Sequence, residues 1–504
     1  MSSIANLYKY ECRFYYLAWI CGIAYSVYKL SLIDTYFSTY RDIYADFAPG
    51  WFWIKRKQDV SDQEWKIWIP MIVQLTPWLF VHHLVSHIIK AVSSSTLLCC
   101  WYILMSTFFL CYHLGVFGTL CILMQPTLLF ILTYKRKKSM IWITHILFLF
   151  VIHFLKTPDG VFQDTFKFSD EKHYILTLTM CWIQLRSLSY NIDYLSNYSS
   201  NSFGEIFHFA QCYLWKLAYC LYLPTLSLGP LILYHEFVES INKPFKSWDK
   251  KRLTLSVLNL ARYIFWIYFV NLSLHFIYFN AVQFHPEIVQ DLNPWALYGL
   301  GYCMGQFFLT KYVVIYGLNG HLCNIDDIKA PHQPKCIARI HLYSDMWKYF
   351  DKGLYNFLLR YIYTPILNLD CNKLLASLLC FGFVFLWHGM QTNIFVWAFL
   401  NFLGVTIESI ARSIGKNRKY FALQRKWLTP DSTRRFYCML ASPLLAMSAV
   451  SNFYFFAGRE IGDIYVHRVL HESWKTLCIL LFFLYCCCQV SIDVKNWELQ
   501  KVNQ

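Results

Sequence analysis

An all-α polytopic membrane protein is the fold class this sequence predicts, and three observations predict it. Hydrophobic residues, tyrosine included, fill 57% of the 504 positions and charged residues only 15%, against about 25% charged in an ordinary soluble domain. Aromatic side chains make up 19%, and a globule of this size has no interior large enough to hide that much apolar surface. The apolar residues are also gathered into runs of about 20, the length that crosses the hydrocarbon core as a helix. Disorder, a disulfide scaffold and a single-anchor enzyme are poor fits to the same composition.

In chain order, the run from Phe14 to about Leu32 is too long for the apolar core of a signal peptide and lacks a small-residue cleavage site, so it reads as a first helix. A polar stretch with Trp51, Trp53 and Trp65 among charges suits an amphipathic segment at the interface. Further segments are expected near 67–90, 95–113, 115–134, 139–156, 173–191, 204–224, 253–282, 295–318, 372–390, 392–411, 435–457 and 474–492. They amount to about ten to thirteen membrane segments, some re-entrant. With no long linker or repeat, residues 1–504 read as a single multi-pass domain. Pro and Gly interrupt the segments near 224–237 and 353–370, and irregular backbone is tolerated at membrane depth only where it is buried or lines a cavity. Those two interruptions are candidate walls of a central cavity.

Lys and Arg exceed Asp and Glu by 45 − 30 = 15. The excess sits in clusters between apolar runs: Lys135 to Lys138, Lys250 to Arg252, and a stretch from Arg412 to Arg435. Basic residues in short loops stay on the cytosolic side, so these clusters predict orientation before any ligand. No folded soluble module carries them, which argues against nucleic-acid binding. Most of the 19 cysteines lie within apolar runs, where a free thiol behaves as a small hydrophobe. His83 and His87 have the i, i+4 spacing of metal ligands beside His82, but no carboxylate or third ligand is near them in sequence. Structural or interfacial histidines are the expectation.

Polar groups inside apolar helices are costly and therefore informative. His388 ends a long apolar run, and a neutral imidazole is the usual general base near neutral pH. Asp351 lies in the longest span without a clean transmembrane run, 319–371, among aromatics and Arg360. At 3.6 residues per turn a helix there would put Trp347, Phe350, Leu354, Phe357 and Leu358 on one face with Asp351 at its edge. It is either an interfacial helix with snorkelling charges or a helix that carries an acid to a buried site.

The run from Trp347 through Asp351, Gly353, Asn356 and Arg360 to Pro365, followed by Trp387-His388-Gly389, resembles the membrane-bound O-acyltransferase (MBOAT) superfamily. The similarity is to its Hedgehog acyltransferase branch, more to the insect than to the vertebrate sequences. It extends through Gly229-Pro230, Leu400 to Glu408, Ser451-Asn452 and Gly458 to Gly462, and is strongest over 330–462. The resemblance implies an MBOAT-like fold around a central cavity. It implies His388 as the catalytic histidine, with Asp351 as the acid found where many relatives have Asn. Trp347 and Lys348 would border the acyl-CoA tunnel, Lys348 standing where vertebrate members have Arg, and Asn452 would lie near the acyl-CoA. Cys336, flanked by Lys335 and Arg339, matches a cysteine that holds haem iron in the family, so haem b is an implied cofactor.

The implied reaction moves palmitate from palmitoyl-CoA to the N-terminal Cys amine of a Hedgehog-type secreted protein, with other secreted ligands such as EGF-like ones as further acceptors. The endoplasmic reticulum membrane, or the Golgi, is the implied location. Two other readings remain open: O-acylation of a hydroxyl on a secreted protein or lipid, and a non-enzymatic lipid transporter. Asp351 favours amine acylation, and no internal duplication of the kind transporters carry is visible.

Overall fold

The computed structural model describes residues 7–33, 41–92, 94–156, 160–197, 205–336 and 340–502. The chain begins with helix α1 (Lys9–Ser31). A two-stranded hairpin follows, β1 (Phe47–Ala48) against β2 (Gln58–Asp59). Then come α2 (Gln63–Ala91), α3 (Ser95–Thr133), α4 (Lys138–Leu155), α5 (Val161–Phe166), α6 (Asp170–Asn197) and α7 (Glu205–Cys220). After an irregular stretch, α8 (Tyr234–Ile241), α9 (Lys250–Ser273), α10 (Phe279–Val282) and α11 (Pro286–Asp291) lead into the long α12 (Pro294–Ile325). The C-terminal third holds α13 (Tyr343–Phe350), α14 (Lys352–Leu358), a π turn, α15 (Thr364–Leu367) and α16 (Lys373–His388). It ends with α17 (Thr392–Lys416), α18 (Arg418–Trp427), α19 (Pro430–His471) and α20 (Trp474–Val502).

Seven helices among the described residues are long and apolar enough to cross a membrane: α2, α3, α4, α9, α17, α19 and α20. The chain is a multi-pass membrane protein. The segments expected at 95–113 and 115–134 form one helix, α3, bent at Gly115, whose φ of 80° only glycine adopts cheaply. The segment expected at 253–282 ends at Ser273. The tryptophans expected on an interfacial amphipathic segment separate instead. Trp65 is buried in the first turn of α2, while Trp53 is exposed beside the hairpin. Asp62 causes that split, because its carboxylate caps α2 through the backbone N–H of Trp65 at 2.7 Å.

Helix α6 runs through the middle of the molecule with buried polar groups along it: Thr179, Gln184, Arg186, Ser187, Ser189, Asn191 and Asp193. Each is paired, as dry polar groups must be. Gln184 donates to the carbonyl of His145 at 2.8 Å, and Asn191 accepts from the buried ammonium of Lys216 at 3.1 Å. Arg186 donates to the carbonyls of Cys220, Thr225 and Leu226.

Those carbonyls belong to the end of α7 and the non-helical stretch that follows it. A helix end leaves unpaired carbonyls, and a guanidinium with five donors can satisfy several of them. The stretch from Leu221 to Leu233 is therefore buried with only one short 3-10 turn, Leu223–Thr225, of its own. Asn319 holds it from the other side, donating to the carbonyl of Gly229 at 2.9 Å.

The single helix expected across Trp347 to Leu358 is broken in two at Asp351. That residue adopts φ −119° and ψ 91°, ends α13 and caps α14 through the N–H of Leu354 at 2.8 Å. The cause is local. Asp competes with helical hydrogen bonds and favours caps, and Gly353 lets the Leu231 backbone approach so closely that a Cβ would sit 2.4 Å from the Leu231 carbonyl oxygen. Both stretches expected to wall a cavity thus meet at one contact.

Removing the Arg186 guanidinium would orphan three buried carbonyls at roughly 1–3 kcal/mol each. Arg186→Ala should therefore lower the thermal midpoint in detergent sharply, measured by loss of the monodisperse gel-filtration peak after heating. An unchanged midpoint would show that the stretch 221–233 does not lean on this clamp.

Candidate active site

Asp351 and His388 line one cavity of about 390 Å³ inside the helix bundle. His388 comes from the last turn of α16, which stops because Gly389 takes a φ of 126°. Its imidazole is boxed by aromatic rings, with centroids 4.6 Å from Trp387, 5.4 Å from Trp397 and 5.2 Å from Phe455. The Lys156 ammonium reaches the same place, donating to the Trp387 carbonyl at 3.3 Å.

Asp351 enters from the break between α13 and α14. One carboxylate oxygen takes the Leu354 N–H, and the other accepts from the Tyr316 hydroxyl at 3.0 Å. Burial pushes the Asp351 carboxyl above the ordinary carboxylate range; the Leu354 N–H and the Tyr316 hydroxyl pull it partly back.

A second acidic group shares the cavity. Lys311 is buried on α12 and pairs with Asp62 at 2.9 Å and Glu64 at 2.8 Å. Tyr312 donates to Glu64 at 3.1 Å, and the Tyr312 ring lies 5.1 Å from that of Tyr316. All of these groups line the cavity. The sequence reasoning missed them, although Lys311 inside the apolar run Phe307-Phe308-Leu309 was a visible signal of the kind applied to His388. Asp62 and Glu64 carried no such signal, since they lie in a polar stretch and reach Lys311 only through the fold.

Trp347 also lines the cavity, donating from its indole nitrogen to Asn401 at 3.0 Å. Trp397 does the same toward Asn452 at 3.3 Å, and Asn401 donates to Ser451 at 3.3 Å. These bonds tie α13, α17 and α19 together at the cavity wall. Glu408 fixes the start of α13, accepting from the backbone N–H groups of Tyr343 at 2.5 Å and Ser344 at 3.2 Å. Asn452 faces two cavities, because it, Met346 and Phe456 also line a neighbouring, almost wholly apolar one of about 280 Å³.

Two further expected residues, Lys348 and Cys336, are not among those lining the cavity of Asp351 and His388. Lys348 is exposed with its ammonium 5.3 Å from the Tyr349 ring, one position beyond the face that Trp347 turns to the cavity. Cys336 is an exposed free thiol in the loop before α13. It lies within electrostatic reach of Tyr302, which lines the apolar cavity. Lys335 pairs with Glu498 at 3.5 Å, and Arg339 lies outside the described residues.

A third cavity, of about 510 Å³, holds Lys138, His235 and Arg360 beside Asp193. Arg360 is anchored to Asp193 at 3.0 Å. Helix α14 is the partition here, with Leu354 and Tyr355 on the first cavity and Asn356 on this one.

Asp351 and His388 thus share one cavity inside a helical membrane bundle. Residues 127–451 match the membrane-bound O-acyltransferase (MBOAT) family, and the chain belongs to it. Among its relatives is the Mus musculus protein-cysteine N-palmitoyltransferase HHAT, 28% identical over 447 residues, covering 86% of this chain and 88% of that protein. The Drosophila melanogaster protein-cysteine N-palmitoyltransferase Rasp is 28% identical over 504 residues, covering 96% and 95%. A Mus musculus HHAT-like protein is 20% identical over 452 residues, covering 87% and 85%. The equal identities to the first two do not separate an insect from a vertebrate resemblance.

Tyr316 holds the Asp351 carboxylate, so Tyr316→Phe should lower kcat about 5- to 30-fold, the worth of one or two kcal/mol, with little change in KM. The lost hydroxyl donor also leaves the carboxyl harder to ionise. The acidic limb of the kcat profile, where activity rises as Asp351 deprotonates, should therefore move to higher pH. A limb that stays in place would remove Asp351 from the titration.

Proposed function

We propose that this protein is a protein-cysteine N-palmitoyltransferase. In this reading it moves palmitate from palmitoyl-CoA to the N-terminal Cys amine of a Hedgehog-type secreted protein in the endoplasmic reticulum membrane. The observation that carries the reading is the shared cavity, which brings one histidine and one carboxylate together among aromatic and apolar side chains. The family membership and the two N-palmitoyltransferase relatives support it.

The chemistry follows from what must balance. The acceptor arrives as an ammonium and must lose a proton before its nitrogen can attack the thioester carbon. The C–N bond forms, the C–S bond breaks, and coenzyme A leaves as a thiol. His388 is the proposed base: it takes a proton from nitrogen and returns one to the departing thiolate, the amine's other proton passes through Asp351 to solvent, and Asp351 pairs first with the ammonium and then with the imidazolium. Neither is a favoured acyl nucleophile, so direct transfer is preferred to an acyl-enzyme. The acyl chain would lie along the apolar wall near Trp347 and Asn452. The coenzyme's phosphates would meet Lys138, His235 and Arg360 across α14. Lys348, exposed as it is, remains a candidate for the same phosphates as a point charge without a guanidinium's fork.

Haem b fits the chain in one respect: Cys336 is an accessible free thiol within electrostatic reach of Tyr302, which lines an apolar cavity. Cys336 would supply the thiolate ligand and that cavity the apolar walls. Bound there, haem would add an iron centre away from His388.

His388→Ala and Asp351→Ala should each cut transfer by about 10²–10⁴-fold, the range for a positioned acid or base, in protein that still elutes as one species. The assay pairs palmitoyl-CoA with a peptide bearing the mature N-terminal Cys, its N-acetylated form, and a form with Ser in place of Cys. Equal transfer to the free and acetylated peptides would rule out the amine as acceptor.

A further inference from the structure

The fold supplies what the sequence around the three histidines of α2 lacks. Asp326, at the C-terminal end of α12, places one carboxylate oxygen 3.1 Å from His82 Nε2 and the other 2.7 Å from His83 Nδ1. The expectation of histidines without a carboxylate is thereby corrected, the missing acid being more than 240 residues away in the chain. His87 Nδ1 is 4.0 Å from the same carboxylate.

We infer that His82, His83 and Asp326, with His87 as fourth ligand, form a structural binding site for a divalent transition metal, best suited to Zn²⁺. The three nearer donor atoms lie within 4.8 Å of one another. Ligands around a tetrahedral Zn²⁺ with bonds of about 2.0–2.1 Å sit roughly 3.3 Å apart, so little movement separates the present contacts from coordination. Imidazole and carboxylate together are the borderline donor set that this ion takes.

The surroundings fit a closed site. The side chains of His82 and Asp326 are 0% and 1% exposed. A carboxylate so buried needs a compensating charge. The nearby cations are engaged with its neighbour, because Lys90 and Arg252 pair with Asp327 at 3.8 and 2.7 Å, and Lys90 bonds only the backbone carbonyl of Asp326. The far nitrogens of the cluster, His82 Nδ1, His83 Nε2 and His87 Nε2, have no hydrogen-bond partner. Without an ion the inner nitrogens donate to Asp326 and to the His83 carbonyl; because nothing engages the far nitrogens, each ring can carry its proton there and turn an unprotonated inner nitrogen to a metal. His87 reaches the ion by leaving the His83 carbonyl, to which it now bonds at 2.8 Å.

The site has a defined structural consequence. Tyr222 donates to Asp326 at 2.8 Å, and Tyr222 opens the irregular stretch that backs Gly353. An ion here would fasten α2, the end of α12 and that stretch at one point, and its binding free energy would add to folding.

The competing compensation is a proton on one imidazole, and metal analysis separates the two. The full chain is purified in detergent without chelator, and zinc is counted by mass spectrometry separately from iron. About one zinc per chain is expected in the wild type, falling at least fivefold in His83→Gln, a change at the partly exposed rim of the cluster, and in Asp326→Asn. Chelator should lower the thermal midpoint of the wild type, and added Zn²⁺ should restore it. Co²⁺ in place of Zn²⁺ should give the visible absorption of a tetrahedral centre. Wild-type protein with no zinc above the His83→Gln level, and no midpoint shift on adding Zn²⁺ after chelation, would overturn the site and leave a proton-compensated cluster. Both wild-type readings stand even where a variant fails to fold.

Discussion

The Arg186 guanidinium is the interaction on which the interior depends. A stretch of backbone without helix or sheet cannot be buried at membrane depth unless something takes over its hydrogen bonds. Arg186 does so for the carbonyls of Cys220, Thr225 and Leu226, and Asn319 does so for that of Gly229. With those groups satisfied, the Leu231 backbone can lie bare against Gly353. That contact fixes the bend at which α13 stops and α14 starts, and the bend is what turns Asp351 inward. The position of the acid is set three steps away from the acid itself.

The same logic explains why α6 is polar where a spanning helix would be apolar. Its mean character hides it from a hydropathy scan, and it is absent from the seven helices apolar enough to cross a membrane. It is nevertheless among the most buried elements, because its neighbours shield it from lipid and its polar groups find partners on α4, α7 and the irregular stretch.

Much of this was legible in the sequence. His388 stands out as a titratable group in an apolar run and Asp351 as an acid among aromatics in the span 319–371, and the structure brings them to one cavity. The two Pro- and Gly-interrupted stretches were expected to wall a cavity, and Leu228, Leu354 and Tyr355 do so. What stayed hidden depends on long-range pairing. Asp326 next to His82, and Asp62 and Glu64 next to Lys311, are joined across more than 240 residues. The break at Asp351 was hidden for a different reason. Helical periodicity over Trp347 to Leu358 continues through it, and only the Leu231 contact and the cap on Leu354 decide against a continuous helix.

The charges lining the cavity bear on the proposed amine acceptor, with Lys156 and Lys311 as cations facing the carboxylates of Asp62, Glu64 and Asp351. Lys311 faces two carboxylates, so the group Asp62, Glu64 and Lys311 carries one negative charge more than it neutralises when all three are ionised. Asp351 adds a third carboxylate whose burial penalises its charged form. A buried carboxylate in that condition is relieved by a cation, and a neutral alcohol offers none. An arriving ammonium would favour ionised Asp351, and ionised Asp351 would hold the ammonium beside the imidazole that must take its proton. Aromatic rings pack around His388 on three sides. In the proposed reaction, acceptor binding and general-base chemistry would then draw on one charge balance.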